Sequence, residues 1–233
     1  MALIDVNRTR RALRTGLALG ALLGLSACDF TDTGRTGELG HGYFFYECDN
    51  NPDDGFCDRA ALDREFPAAV AVGSMFKIDF EADDGTEHLD LVSGCLDCLQ
   101  RTTEGFTMPA PGRAPLLAEN GEGEIFDILH VEAKDTADIV VRVDGEPWPD
   151  GQLVLLPTTM HDLTATPQAA DGTELGGALA YSWEIADESI VQFSSSSARN
   201  DVSLIAITPG ETTITVSTGD ISFEIPVEVK EIG

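Results

Sequence analysis

Apolar residues recur at every second position through most of this chain, and that period narrows the fold class more than any other feature. Phe76, Ile78 and Phe80 alternate with Lys77, Asp79 and Glu81, and Ile139, Val141 and Val143 alternate with Asp138, Val140 and Arg142. Leu179, Tyr181, Trp183 and Ile185 are interleaved with Ala180, Ser182 and Glu184. The cleanest case is Ile221, Phe223, Ile225, Val227 and Val229, set between Ser222, Glu224, Pro226 and Glu228. Successive strand side chains point to opposite faces, so the alternation puts one face in a core and one in water, as in antiparallel sheets. Gly, Pro, Asp and Asn separate the segments, the punctuation of tandem β-sandwiches rather than of an α/β sheet. The expectation is an all-β protein. One short helix is expected over residues 59–65, capped by Asp58 and ended by Pro67.

Two β-sandwich domains are expected, over residues 43–144 and 152–231. Between them, Asp144-Gly145-Glu146-Pro147-Trp148-Pro149-Asp150-Gly151 holds two prolines and two glycines. A central strand does not continue through such a stretch, and the pattern restarts at Leu153.

The N-terminus has the order of a secretory signal. Arg8, Arg10, Arg11 and Arg14 face a single acid, Asp5, and an apolar run over residues 17–25 leads to Ser26 and Ala27. That run is about half of the ~20 residues a membrane-spanning helix needs. Leu25-Ser26-Ala27-Cys28 resembles the lipobox of bacterial lipoproteins. The resemblance implies cleavage after residue 27 and lipid on Cys28, with residues 28–42, rich in Asp, Thr and Gly, as a flexible tether. Two or more acyl chains hold stably where one holds weakly. Thr9-Arg10-Arg11-Ala12 also loosely resembles a twin-arginine export signal.

Charge excludes whole classes of partner. The chain carries 14 basic and 41 acidic side chains, and removing the four arginines and one aspartate of residues 1–27 takes the formal net charge from −27 to −30. Such a surface repels phosphate backbones and anionic headgroups, which excludes nucleic acid and electrostatic membrane binding. It suits solubility, cations or a basic partner.

With Cys28 acylated, Cys48, Cys57, Cys95 and Cys98 remain, an even number for an oxidising compartment. Three pairings exist, and nearness in the chain favours Cys48–Cys57 and Cys95–Cys98. Cys95-Leu96-Asp97-Cys98 has the spacing of a redox motif, but its flanks read as strand and turn, not as the strand–helix–strand setting of thioredoxin-like chemistry. Asp49-Asn50-Asn51-Pro52-Asp53-Asp54-Gly55 is similar to a calcium loop, although its glycine comes one place late and Ala60 stands where a closing glutamate belongs. An EF-hand is therefore excluded, and Asp49, Asp53 and Asp54 remain as candidates for a looser calcium site. No other metal or cofactor is implied.

The second domain has a recognisable relative. Leu163-Thr164-Ala165-Thr166-Pro167, Tyr181-Ser182-Trp183-Glu184 and Ser189-Ile190-Val191 resemble, in order, motifs of the bacterial immunoglobulin-like domain of group 2. So do residues 207–216, Ile207-Thr208-Pro209-Gly210-Glu211-Thr212-Thr213-Ile214-Thr215-Val216, and the closing Ile225-Pro226-Val227-Glu228-Val229. The polar stretch over residues 194–201 is longer than the family's usual turn. The resemblance implies a spacer or binding module with no shared catalytic residues.

Motifs of catalysis are missing: there is no Gly-x-Ser-x-Gly elbow, His-Glu-x-x-His pair or phosphate-cradling glycine loop. His41, His88, His130 and His161 are scattered, and a Ser/His/Asp set could be assembled only by the fold. The resulting expectation is a non-catalytic cell-envelope lipoprotein, lipid-anchored to a membrane, acting on a protein or glycan as a surface interaction, adhesion or spacer module. The alternative is a calcium-dependent or substrate-binding lipoprotein serving an envelope enzyme or transporter.

Overall fold

The computed structural model describes residues 34–48, 53–57, 66–148 and 151–231. Cys28 and the rest of the expected signal, Asp49, and the helix expected over 59–65 lie outside the described residues.

In the first half the strands are β1 (Gly34–Thr36), β2 (Gly42–Tyr46), β3 (Val70–Ala71), β4 (Met75–Phe76) and β5 (Ile78–Ala82). They are followed by β6 (Asp90–Ser93), β7 (Gln100–Arg101), β8 (Phe106–Thr107), β9 (Gly112–Glu119) and β10 (Ile125–Lys134). They form three sheets, ordered β1-β2-β5, β3-β10-β9-β6 and β4-β8-β7. Period two decides what goes inside: Ala114, Leu116 and Ala118 of β9, and Leu129, Val131 and Ala133 of β10, turn inward onto Phe44, Phe76 and Phe106. Each fully buried large apolar side chain contributes about 1.5–3 kcal/mol.

The second half holds β11 (Asp138–Val143), β12 (Glu146–Pro147), β13 (Leu153–Leu155), β14 (Met160–Gln168) and β15 (Ser182–Ile185). It closes with β16 (Val191–Phe193), β17 (Asp201–Ala206), β18 (Gly210–Thr218) and β19 (Ile221–Val229). One sheet runs β12-β11-β14-β17-β16 and the other β13-β19-β18-β15. This is the immunoglobulin arrangement, with β11, β14, β17 and β16 in the A, B, E and D places and β15, β18 and β19 in C, F and G. Trp183 sits in the core between the sheets with Val191, Leu204, Val216 and Ile225. The polar stretch over 194–201 folds across the open edge of β15. There the Ser197 carbonyl accepts from the Trp183 backbone N–H at 3.1 Å, and the Arg199 carbonyl from its indole N–H at 2.8 Å.

Two expected boundaries move. Residues 144–151 do not separate domains, because β11 pairs along its whole length with β14 and buries Ile139 and Val141 in the second core. The Asp144-Gly145 pair makes a tight hairpin turn, both residues at positive φ, and the chain then crosses to the opposite sheet as β13, parallel to β19. What reads as a linker is the first immunoglobulin strand divided between two sheets, and the change of halves falls at residues 135–137 instead. Nor does the tether reach residue 42. Strand β1 pairs with β2 from Gly34 on, and the turn after it is gripped by the buried carboxylate of Asp127, which accepts from the backbone N–H groups of Leu39 and His41, each at 2.8 Å.

Residues 31–233 form one compact unit. The loop between β14 and β15 docks on the first half: Ala178 exchanges two backbone hydrogen bonds with Met75, and Gly176 bonds to Ala69 and Ala71. Ala69, Ala71, Ala169 and Leu175 bury one another beneath it.

Candidate functional site

The segment over residues 53–57, closed by the Cys48–Cys57 disulfide, is wedged between the halves. Phe56 and Cys57 enter the first core, where Phe56 meets Tyr46 edge to face. Gly55 lies so close to the Ala165 carbonyl of β14 that any Cβ would overlap it, and the Thr166 hydroxyl donates to the Gly55 carbonyl. Asp54 is fully buried; its carboxylate accepts from the Tyr46 hydroxyl, the Phe56 N–H and the Gly177 N–H. Asp53 pairs with Arg199 at 3.5 Å. Burial, then the Asp54 charge, then the hydrogen bond to Asp54 push the Tyr46 hydroxyl well above its ordinary pKa. Burial and the same charge raise that of Tyr181.

Two of the three calcium candidates have partners within the fold. Asp54 and Asp53 face different partners, and Asp54 is committed to holding the wedge. Among the described residues no group of three or more His, Cys, Asp or Glu side chains is placed to hold a metal. Asp49 lies outside them.

A cavity of about 300 Å³ opens in the first half, lined by Glu47, Lys77, Asp79, Asp90, Arg101 and Glu104 among others. Three sheet edges frame it, because β5, β6 and β7 each end their sheet. Arg101 spans two of them by donating to the Leu91 carbonyl at 2.9 Å. Free edges present unpaired backbone groups, and charges of both signs suit a polar or extended ligand.

The fold does bring a hydroxyl, an imidazole and a carboxylate together. His161 Nδ1 lies 2.7 Å from Asp144 Oδ2, and Nε2 lies 3.1 Å from Thr159 Oγ1. The Asp162 backbone N–H and then the His161 hydrogen bond hold the Asp144 carboxyl below the usual carboxylate range. Thr159, however, donates its single proton to the Leu156 carbonyl at 2.7 Å. In this arrangement the hydroxyl proton is engaged by the backbone rather than by His161. His130 pairs similarly with Glu38 at 2.7 Å, fixing the turn after β1 to β10.

Both near-neighbour disulfides are present, Cys48–Cys57 and Cys95–Cys98. Asp127 escaped sequence reasoning although it carried a signal. It shares the inward phase of Leu129, Val131 and Ala133, where a charge needs buried partners. Asp54 sits in a loop and carried none. Across the seam, Lys134 meets Asp171 at 2.7 Å, and the Lys134 hydrogen bond lowers the Asp171 pKa. Arg142 meets Glu174 at 2.6 Å.

No protein-family model matches the chain, and no curated protein matches it. Similar solved structures include the S-layer protein rSbsC(31-844), at 18% identity and a TM-score of 0.33 over 68% of this chain and 23% of that one. This chain thus spans under a quarter of that protein. SbsC domains 4 and 5 are similar at 15% identity and a TM-score of 0.33, over 72% of this chain and 97% of that one. The D00-D0 domain of intimin is similar at 13% identity and a TM-score of 0.29, over 72% and 98%.

Proposed function

We propose that this chain is a non-catalytic cell-envelope lipoprotein, held to a membrane by lipid on Cys28, that works as a surface interaction, adhesion or spacer module. Its second half is read as an immunoglobulin-like domain of bacterial group 2. The observation that carries the reading is the seam. Wedge, docked loop and ion pairs join two β units into one body, which suits carrying a surface at a set distance better than closing around a substrate. Cys28 is six residues from the first residue of β1, a reach of about 20 Å at full extension. No helix among the described residues is long and apolar enough to cross a membrane, so the lipid would carry the attachment. The test is fractionation of a Cys28→Ala variant, expected to leave the membrane or to go unprocessed. A processed variant that stays on the membrane through a high-salt wash would overturn the lipid anchor.

The cavity framed by β5, β6 and β7 favours a second reading, a ligand-carrying lipoprotein. Native mass spectrometry of protein purified from its own cells would then show a bound small molecule, lost in Arg101→Glu.

A further inference from the structure

The Cys95–Cys98 disulfide lies apart from the wedge that the Cys48–Cys57 disulfide closes. It sits on a single tight turn between β6 and β7, where the Cys95 carbonyl accepts from the N–H groups of Cys98, at 3.0 Å, and Leu99, at 2.8 Å. The two cysteines differ in packing. Both are partly exposed, but Cys98 packs against the first core beside the fully buried Leu99, whereas Cys95 lies outside that packed set. The residues between them face water, Leu96 being 78% exposed. Cys57, by contrast, is buried in the first core, with Cys48 packed against it.

We propose that Cys95–Cys98 is a thiol–disulfide exchange site, attacked at Cys95 by a dithiol of the same compartment. The partner's thiolate attacks Cys95 Sγ, the Cys95–Cys98 bond breaks, and Cys98 leaves as a thiolate that takes a proton from water. The partner's second thiolate then attacks the partner sulfur of the mixed disulfide and releases Cys95. The partner ends oxidised by two electrons and this chain ends reduced by two, with both cysteines as thiols. Three features make the site competent. Cys95 is partly exposed and outside the packed core, and Cys98 is held against that core within reach for re-closure. The site's ring spans a sequence separation of 3 against 9 for the other bridge, so opening it releases less chain entropy into the unfolded state. The wedge does not depend on it, so the fold survives its reduction.

The chain's net charge of −27 repels anionic thiols, so the probes are neutral. The full chain is treated with dithiothreitol, quenched by alkylation at intervals and mapped by mass spectrometry while tryptophan emission is followed. Cys95 and Cys98 are expected to be alkylated on the order of tenfold or more faster than Cys48 and Cys57, with native emission retained. The single variants Cys98→Ser and Cys95→Ser are then exposed to bis(2-hydroxyethyl) disulfide. Cys95 in the first is expected to form the mixed adduct at least about tenfold faster than Cys98 in the second. Simultaneous opening of both bridges, or loss of native emission as Cys95–Cys98 opens, would overturn the proposal. Equal adduct rates would overturn the assignment of Cys95 as the attacked sulfur. The dithiothreitol comparison uses the unmodified chain, so it decides the matter even where a variant folds poorly.

Discussion

Single residues carry this fold at the places where polar groups go inside. Asp127 turns into the first half and is satisfied by the N–H groups of Leu39, His41 and Ile128, and a methyl group at Gly37 would overlap its carboxylate. Gly37→Ala is therefore expected to cost about 1–3 kcal/mol in urea melts, the range for overpacking a filled site. Trp183→Ala is expected to cost about 3–5 kcal/mol through lost burial and the cavity it leaves. The test is equilibrium unfolding, and a loss under 1 kcal/mol would mean that the indole is not a core anchor. The tyrosines at the wedge set an alkaline limit. Tyr46 and Tyr181 have raised pKa values when folded, so they keep protons that the unfolded chain releases above about pH 10. Their contribution is complete below that pH and falls as pH rises toward the folded values. Urea melts from pH 8 to pH 11 should show stability dropping at the alkaline end, less steeply in Tyr46→Phe. An unchanged slope in that variant would remove Tyr46 from the account.

Individual strands were legible from alternation alone, because a half-buried strand has little freedom in what faces which way. Phe76, Ile78, Tyr181, Trp183, Ile225 and Val227 all lie inside as the period requires. The edges of the domains were not legible. A Pro- and Gly-rich stretch looks the same whether it joins two domains or carries one strand from sheet to sheet, and only the pairing of Val141 with Ala165 tells them apart. Likewise Gly34 to Thr36 has no apolar phase and reads as tether, although it is the edge strand of a sheet. The candidate sites divide similarly. Disulfides between near cysteines follow from sequence, whereas the wedge joins Asp54 to Gly177 across 123 positions, beyond any local pattern. The pairing of β11 with β14 sets where an independently folding fragment must begin. Residues 136–231, which keep β11, should unfold cooperatively with buried-tryptophan emission. Residues 152–231 should be less stable, since they leave the β14 edge unpaired and expose the surface that Ile139 and Val141 cover. Equal midpoints for the two fragments would refute the place given to β11.

At the scale of the whole molecule, the wedge decides whether the two halves act as one body. Asp54→Ala would leave the buried Tyr46 hydroxyl and Gly177 N–H without that acceptor, at about 1–3 kcal/mol for each group. Hydrogen exchange should then speed up at Gly177, Ala178 and Met75 ahead of the strands of either core, with a broader distance distribution in solution scattering. Unchanged exchange at the seam would show that the docked loop holds the halves together unaided.

Parallel pairing of β13 with β19 has a mechanical side. Strand β11 begins beside Gln168, next to the seam, and β19 ends beside Leu155 at the opposite pole. A tensile load applied between the start of β11 and that far pole therefore runs along the strands. It drives β19 to slide lengthwise past both β13 and β18, so their backbone hydrogen bonds must shear together rather than unzip one after another. Drawn end to end in single-molecule pulling, the second half should yield abruptly at one force peak rather than by gradual peeling.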